Sequence, residues 1–206
     1  MPDTPNWLGW AREIFSLSQA GLAYSVNDYD IDRYKRLQEI SAEILSNYSD
    51  LKAEDILKNL SMQSGYATPK VDVRGAIFRD GQILLVREKA DGRWAMPGGW
   101  GDIGDAPAAM VAREVWEESG FTVRVDKLIA VFDGNRLEPL EFYHAYKLVF
   151  LCSILSGEAT PSMETLEVGF FERDHLPPLS ETRTNNRILD EVFAHHENMA
   201  RITYFE

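Results

Sequence analysis

Between Gly99 and Phe121 runs the segment GWGDIGDAPAAMVAREVWEESGF, in which Glu114, Glu117 and Glu118 stand at i, i+3 and i+4. On an α-helix that spacing puts the three carboxylates on one face, close together. Like charges so placed repel and weaken a bare helix. A hard divalent cation bound between them removes the repulsion, and Mg²⁺ held by carboxylates commonly also binds substrate phosphates. The segment therefore points to a phosphate-chemistry site on a helix, and any fold proposed for the chain has to present that face. The bland alternative is a solvated, charged helix face. Against it stand the glycines that flank the helix in register with Arg113 and the carboxylates.

The same residues resemble the Nudix box, the signature of the Nudix hydrolases. That pattern runs Gly, five residues, Glu, seven residues, Arg-Glu, an aliphatic residue, any residue, Glu-Glu, any residue, Gly and an aliphatic residue. Counted from Gly99, every spacing fits. Asp105 stands where the family usually has Glu, and Phe121 where it usually has an aliphatic residue. Asp105 keeps the charge on a shorter side chain, at a position that in the family mostly braces the loop. The resemblance implies an α/β fold, the Nudix α/β/α sandwich with a mixed sheet, over residues 67–206. It also implies a pyrophosphohydrolase that uses Mg²⁺ or Mn²⁺.

A chain of 206 residues allows one full domain plus a smaller one. The net charge of −12 disfavours nonspecific attraction to nucleic acid or to acidic membranes. The single cysteine, Cys152, lies in the apolar run LVFLCSIL and reads as a buried, inert thiol. With no internal disulfide possible, a reducing cytoplasm fits. No apolar run is long enough to span a membrane, and no signal peptide is evident.

Ahead of the box the pattern changes. Residues 6–64 read as three helices, and the N-terminal domain is placed at 1–66. In the first, Trp7, Trp10, Ile14 and Leu17 recur every three or four positions. The second carries Ile31, Tyr34, Leu37, Ile40, Ile44 and Tyr48, with Asp28 or Asp30 as its cap, and the third, with Leu51, Ile56, Leu57 and Leu60, has its stop at Gly65. Three short helices bury little core alone, so this unit is expected to pack on something, with Trp7 and Trp10 as anchors. The expectation is a homodimer through this domain; packing inside one chain is the competing reading. The segment also resembles the helical domain that precedes the Nudix domain in some bacterial hydrolases of nucleoside diphosphates linked to another group.

From residue 70 strand patterns take over. VDVRGAIF and QILLVREK flank Asp80-Gly81, a hairpin signal. TVRVDKLIAVFDG, EFYHAYKLVFLCSIL and EVGFFERD add strands, Pro107 suits the first turn of the box helix, and a final amphipathic helix is placed at 182–199 with Ile188, Leu189, Val192 and Phe193 inward.

Glu114, Glu117 and Glu118 are the expected metal ligands. The resemblance adds the backbone carbonyl of Gly99 as a ligand and an acidic residue from outside the box. For the latter, Glu164 ranks ahead of Glu158 and Glu167, because the family often places a base just before the late strand. Gly98 and Gly99 let the loop approach phosphates closely. Arg113 lies four residues before Glu117 and can steady it. Arg93, Trp94, Phe132, Asp133, Tyr143 and His144 are candidates to bind the nucleoside, since aromatic faces stack on bases; strand aromatics are also common core residues. His175, His195 and His196 read as surface residues.

The resemblance favours a substrate of ADP-ribose or CDP-choline type. Two other readings stay open: a non-catalytic ligand sensor on the Nudix fold, which would typically lack box carboxylates, and RNA processing, which would need a basic groove.

Overall fold

Where the sequence period shifts from helix to strand, the architecture shifts with it. The computed structural model describes residues 5–61, 65–137 and 144–206. The chain divides into two units, Met1–Thr68 and Pro69–Glu206.

The first unit holds α1 (Asn6–Tyr24), α2 (Asp28–Asn47) and α3 (Ala53–Leu60). Asn27, not Asp28 or Asp30, caps α2: its side chain accepts from the Tyr29 amide, and the two aspartates fall in the first turn, where the helix dipole favours them. The third helix ends at Leu60, short of Gly65. The buried face of α1 is Leu8, Ala11, Phe15 and Ser18, while Trp10 and Leu17 are 61% and 63% exposed. On α2 the buried residues are Gln38, Ser41, Ala42 and Leu45. Of the expected stripes, Trp10, Leu17 and Leu37 are displaced to the exposed side, while Trp7, Ile14, Ile31, Tyr34 and Ile40 are half-buried. Close approach explains the displacement. Ser41 Oγ donates to Ala11 O at 2.7 Å, and the Tyr34 ring lies so near Gly21 that a Cβ there would sit 2.4 Å from it. Small residues let the helices approach closely around Leu8, Phe15 and Leu45, and Trp10, Leu17 and Leu37 are left outside.

The second unit contains β1 (Lys70–Arg79), β2 (Gln82–Glu88), β3 (Trp94–Ala95), α4 (Pro107–Ser119), β4 (Phe121–Asp133), β5 (Ala145–Gly157), β6 (Thr165–Phe171), α5 (Asn186–Glu197) and β7 (Tyr204–Phe205). The strand order is β3-β2-β1-β5-β4-β7, with β6 on β2. β1 runs parallel to β5 in register Lys70↔Ala145 to Ile77↔Cys152, β5 is antiparallel to β4, and β4 is parallel to β7, so the sheet is mixed. Asp80 and Gly81 turn the β1–β2 hairpin with φ of 52° and 80°, as a type I′ turn requires.

Alternate strand residues feed two cores. Val73, Ile77 and Leu84 meet Met110, Val111 and Val115 of α4, together with Phe121. Ala76, Ile83 and Leu85 meet Ile188, Leu189, Val192 and Phe193 of α5. The sheet is therefore sandwiched between α4 and α5. Each such aliphatic side chain contributes about 1.5–3 kcal/mol by burial. Phe121, the departure from an aliphatic residue, is fully buried and edge-on to Phe170 at 5.8 Å. Cys152 is buried as expected, and burial pushes its thiol up to about 12. His195 is not at the surface: it is 1% exposed, inside α5, and His196 stacks on Phe78 at 3.9 Å. Only His175 is exposed as expected. Among the described residues no helix is long and apolar enough to cross a membrane.

Candidate active site

The box helix α4 starts with Pro107 in its first turn after Ala106 and stops at Gly120, whose φ of 78° closes it in the left-handed region. Before it, the loop from Pro97 to Gly101 is laid along β1: Gly75 N–H donates to Pro97 O at 2.9 Å, Val73 N–H to Gly99 O at 2.9 Å, and Gly101 N–H to Val71 O at 2.7 Å. Gly98 has φ 144°, and a Cβ there would stand 2.0 Å from Val73 O, so only glycine fits. Its amide donates to Glu118 Oε2 at 2.8 Å. The Gly99 carbonyl, already an acceptor for Val73, retains a second lone pair.

The other wall comes from residues 158–165. Thr160 N–H donates to Ser119 O at 3.0 Å and Thr165 Oγ1 to Glu118 O at 2.9 Å. These bonds tie the start of β6 to the end of α4. The result is a cleft of about 590 Å³ lined by Glu114, Glu117, Glu118 and Glu164, with Trp116 and Met163 as its apolar side. Glu164 thus lines the same cleft as the box carboxylates. Of its rivals, Glu167 is paired with Arg87 at 2.7 Å, and Glu158 is exposed, its carbonyl accepting from Thr160 Oγ1.

Electrostatically the cleft is overloaded with carboxylates. Burial pushes Glu118, 6% exposed, up to about 8; the Gly98 amide and Arg74 pull it down, while Glu88 and Glu114 raise it further. Glu114 is also raised, by burial first and then, against the pull of Arg113, by Glu117, Asp102 and Glu164. Arg113 gathers the rest. Its Nη1 lies 3.0 Å from Glu117 Oε2 and 3.1 Å from Glu114 Oε1; its Nη2 lies 2.9 Å from Asp102 Oδ2 and 3.4 Å from Asp105 Oδ2. The expected Arg113–Glu117 pair is present. Asp105, one methylene short, makes the longer loop contact, and Asp102 supplies the closer one.

With Arg113 as the counter-ion, no three His, Cys, Asp or Glu side chains among the described residues gather tightly enough to hold a metal ion. The donor chemistry nonetheless suits one. Carboxylate oxygens are hard ligands, and a buried carboxyl kept uphill by two like-charged neighbours is what a cation relieves.

The nucleoside candidates do not all come together. Trp94 packs edge-on to Phe171 at 4.7 Å against the α5-side core, and Phe132, 1% exposed, lies in that core beside Tyr204. Trp94 is on β3 and Phe132 on β4, with β2, β1 and β5 between them. Asp133 Oδ1 accepts from Asn135 N–H and lies 2.9 Å from His144 Nε2. Arg93 is exposed, its amide bonded to Asp91 Oδ1. Tyr143 lies outside the described residues.

Sequence reasoning passed over Asp72, Arg74, Glu88 and Lys147, all buried, of which Arg74 and Glu88 lie within electrostatic reach of Glu118. The alternation Val71-Asp72-Val73-Arg74 reads as a strand with one wet face, yet both polar residues are inside: Arg74 donates to Asp72 at 3.0 Å and Lys147 to Asp72 at 2.8 Å. Glu88, at the end of β2, is raised by burial first, with Arg183 and Arg74 opposing, and by the nearby Asp91 and Glu164.

Comparison with known proteins matches this anatomy. Residues 5–60 match a family described as a UDP-X-like, N-terminal oligomerisation domain, and residues 68–192 match the NUDIX domain. A protein of Bacillus subtilis (strain 168), YjhB, provisionally named an ADP-ribose pyrophosphatase, is 42% identical over 98% of this chain and 97% of its own length. A crystal structure of a UDP-X diphosphatase superposes with TM-score 0.64 at 33% identity over 100% of both chains. That of an ADP-ribose pyrophosphatase from Streptococcus suis 89-1591 does so with TM-score 0.63 at 37% identity, covering 68% of this chain and 100% of that one. Nudix hydrolases use divalent cations, which fits the carboxylate cleft. With the box in register, the sandwich that presents it and relatives matching along the whole chain, this protein belongs to the Nudix hydrolases.

Proposed function

We propose that the chain hydrolyses the diphosphate bridge of a nucleoside diphosphate linked to a second group, X, releasing nucleoside monophosphate and X-phosphate. The observation that carries this reading is the cleft in which Glu114, Glu117 and Glu118 of α4 face Glu164 from the edge of β6. The three α4 carboxylates and the Gly99 carbonyl would hold Mg²⁺ or Mn²⁺, which would supply neutralisation of phosphate oxygens and activation of water. Glu164 takes the proton of the attacking water as its oxygen bonds to phosphorus and the bond to the bridging oxygen breaks. The Gly98 amide orients Glu118, and Arg113 steadies Glu114 and Glu117.

ADP-ribose leads as substrate, because the full-length curated relative carries that name and a solved relative shares it. A structural relative that covers the whole chain is a UDP-X diphosphatase, so UDP-linked compounds belong beside CDP-choline in the test. We further propose that residues 1–66 form a homodimer. Supporting this are the exposed Trp10 and Leu17, seven residues apart on α1, and the oligomerisation role in the matching family's description. Trp7, by contrast, is stacked on Tyr48 at 4.5 Å, leaving Trp10 as the anchor.

The experiment is a panel of ADP-ribose, UDP-linked sugars, CDP-choline and a capped RNA with Mg²⁺ or Mn²⁺, products identified by mass, run on wild type and Glu164→Gln. The expected result is a monophosphate plus X-phosphate from one nucleoside class, slowed about 10²- to 10⁴-fold in the variant. No turnover of any diphosphate-linked nucleoside would defeat the reading. Wild-type turnover in the variant would move the base elsewhere.

A further inference from the structure

Glu118 is held by one amide, that of Gly98. The turn carrying that amide is pinned at Met96 from two sides. Met96 N–H donates to Thr184 Oγ1 at 2.9 Å, and Met96 O accepts from Arg74 Nη1 at 3.2 Å. Arg74 donates from Nε to Asp72 Oδ1 at 3.0 Å, and Lys147 Nζ donates to the other oxygen, Oδ2, at 2.8 Å. All three side chains lie inside: Arg74 is 5% exposed, Asp72 and Lys147 2%.

Burying three charges is costly, and apolar residues of similar size at the same strand positions would serve stability as well or better. The arrangement does something apolar residues cannot. Arg74 lies within electrostatic reach of both Glu118 and Glu88, yet its ion pair is with Asp72, and it stays beyond ion-pair distance of Glu118. An arginine free to swing would seize Glu118 and compete with a cation for its oxygens. Tethered to Asp72, it lends positive charge to the floor of the cleft without capping the carboxylate.

We propose that Arg74 is a positioning residue for Glu118. It acts through the Met96–Gly98 turn, and the Lys147–Asp72 pair fixes its direction. The proposal rests on reading Glu118 as a metal ligand, and it extends the ligand shell inward to residues outside the box. Outer-shell partners of this kind typically change metal affinity or activity 10- to 100-fold when lost.

The test uses the full-length protein and Mn²⁺ alone, titrated by calorimetry, beside steady-state kinetics at saturating metal and the amide shift of Gly98 by NMR. Arg74→Met is expected to weaken Mn²⁺ binding about 10- to 100-fold. It should also move the Gly98 amide and lower kcat, with KM within about twofold. Arg74→Lys should recover part of the affinity, because its ammonium can still donate to Asp72 or to Met96 O but lacks the fork that reaches both together. Asp72→Asn, nearly isosteric, should weaken Mn²⁺ binding by releasing Arg74 toward Glu118, and it carries the test if Arg74→Met does not fold. Folded Arg74→Met or Asp72→Asn with wild-type Mn²⁺ affinity and an unmoved Gly98 amide overturns the proposal. If Glu118→Gln loses Mn²⁺ affinity while these variants keep it, only this inference fails. If Glu118→Gln keeps its affinity, the ligand assignment beneath it fails.

Discussion

The helical unit and the hydrolase unit solve the same burial problem in opposite ways. In Pro69–Glu206, large aliphatic side chains on alternate strand positions fill both faces of a sheet, and Ile77, Leu84, Leu85, Ile129 and Ile188 are sealed completely. In Met1–Thr68 the faces that α1 and α2 bury set the small Ala11, Ser18, Ser41 and Ala42 among only three large apolar residues, Leu8, Phe15 and Leu45, while Trp10, Leu17, Tyr24 and Tyr29 remain exposed. A sheet core excludes water through bulk. A small-residue helix seam gains close backbone approach and leaves its apolar bulk for another surface. The first solution yields a stable platform for chemistry; the second suits a unit whose stability is completed by association.

The sharpest way to break that comparison is to add one methyl group to each unit. Gly98→Ala places a Cβ 2.0 Å from the Val73 carbonyl, a backbone atom that cannot yield, at a φ that alanine resists. Strain and overpacking together cost about 2–6 kcal/mol. The Glu118 hydrogen bond should be lost with it, so both urea stability and turnover should fall. Gly21→Ala collides instead with the half-buried Tyr34 ring, which can swing outward. Alanine's helix preference of roughly 1 kcal/mol offsets that movement, so stability should change by less than about 1 kcal/mol. Equal losses in the two variants would erase the distinction drawn here.

Truncations sharpen it further. Leu189→Ala, on the inward face of α5, should cost about 2–5 kcal/mol in urea unfolding. Trp10→Ala should alter unfolding of the isolated chain by no more than about 0.5 kcal/mol. It should, however, shift the mass seen by light scattering from dimer to monomer. A monomeric wild type would sink the dimer proposal, and a dimer that survives removal of residues 1–66 would place the interface in the hydrolase unit.

The smallest expected effect is a pH dependence at His195. Burial, followed by the charge of Lys127, lowers its pKa below the ordinary 6.5, against the pull of Glu191. The unfolded chain therefore binds a proton there at a pH where the folded chain does not. The stabilising contribution is full above about pH 6.5 and is lost as pH falls through that value toward the lower folded-state pKa. Between pH 7.5 and 5.5 the urea midpoint of wild type should fall more than that of His195→Leu; parallel profiles would show that His195 titrates as it does when unfolded.

What could be read in the sequence divides along the same line. The hairpin at Asp80-Gly81, the box helix from Pro107 to Gly120 and the inward face of α5 were all legible, because each rests on a local rule of turn, cap or period. The position of Glu164 opposite the box glutamates was legible only through the family resemblance. The buried face of α1 was misread, because periodicity marks where apolar bulk lies and not which face a neighbouring helix selects. Asp72 and Arg74 were missed for a related reason: alternating polar residues in a strand look solvated, and nothing local reveals that Lys147, across the β1–β5 register, will be buried with them. Phe132 went to the core and Trp94 packs half-buried against it because each faces α5-side packing, a matter of sheet geometry that a single aromatic does not announce.

The central claim is that the α4 carboxylates form the metal and phosphate site, with Glu118 at its buried end. Calorimetric titration of Mn²⁺ into wild type and Glu118→Gln tests it most directly. The account predicts that the variant, still folded by circular dichroism, binds Mn²⁺ more weakly by at least the roughly 10- to 100-fold typical of outer-shell changes. Mn²⁺ bound with the same affinity and stoichiometry by both proteins would contradict it and place the cation elsewhere.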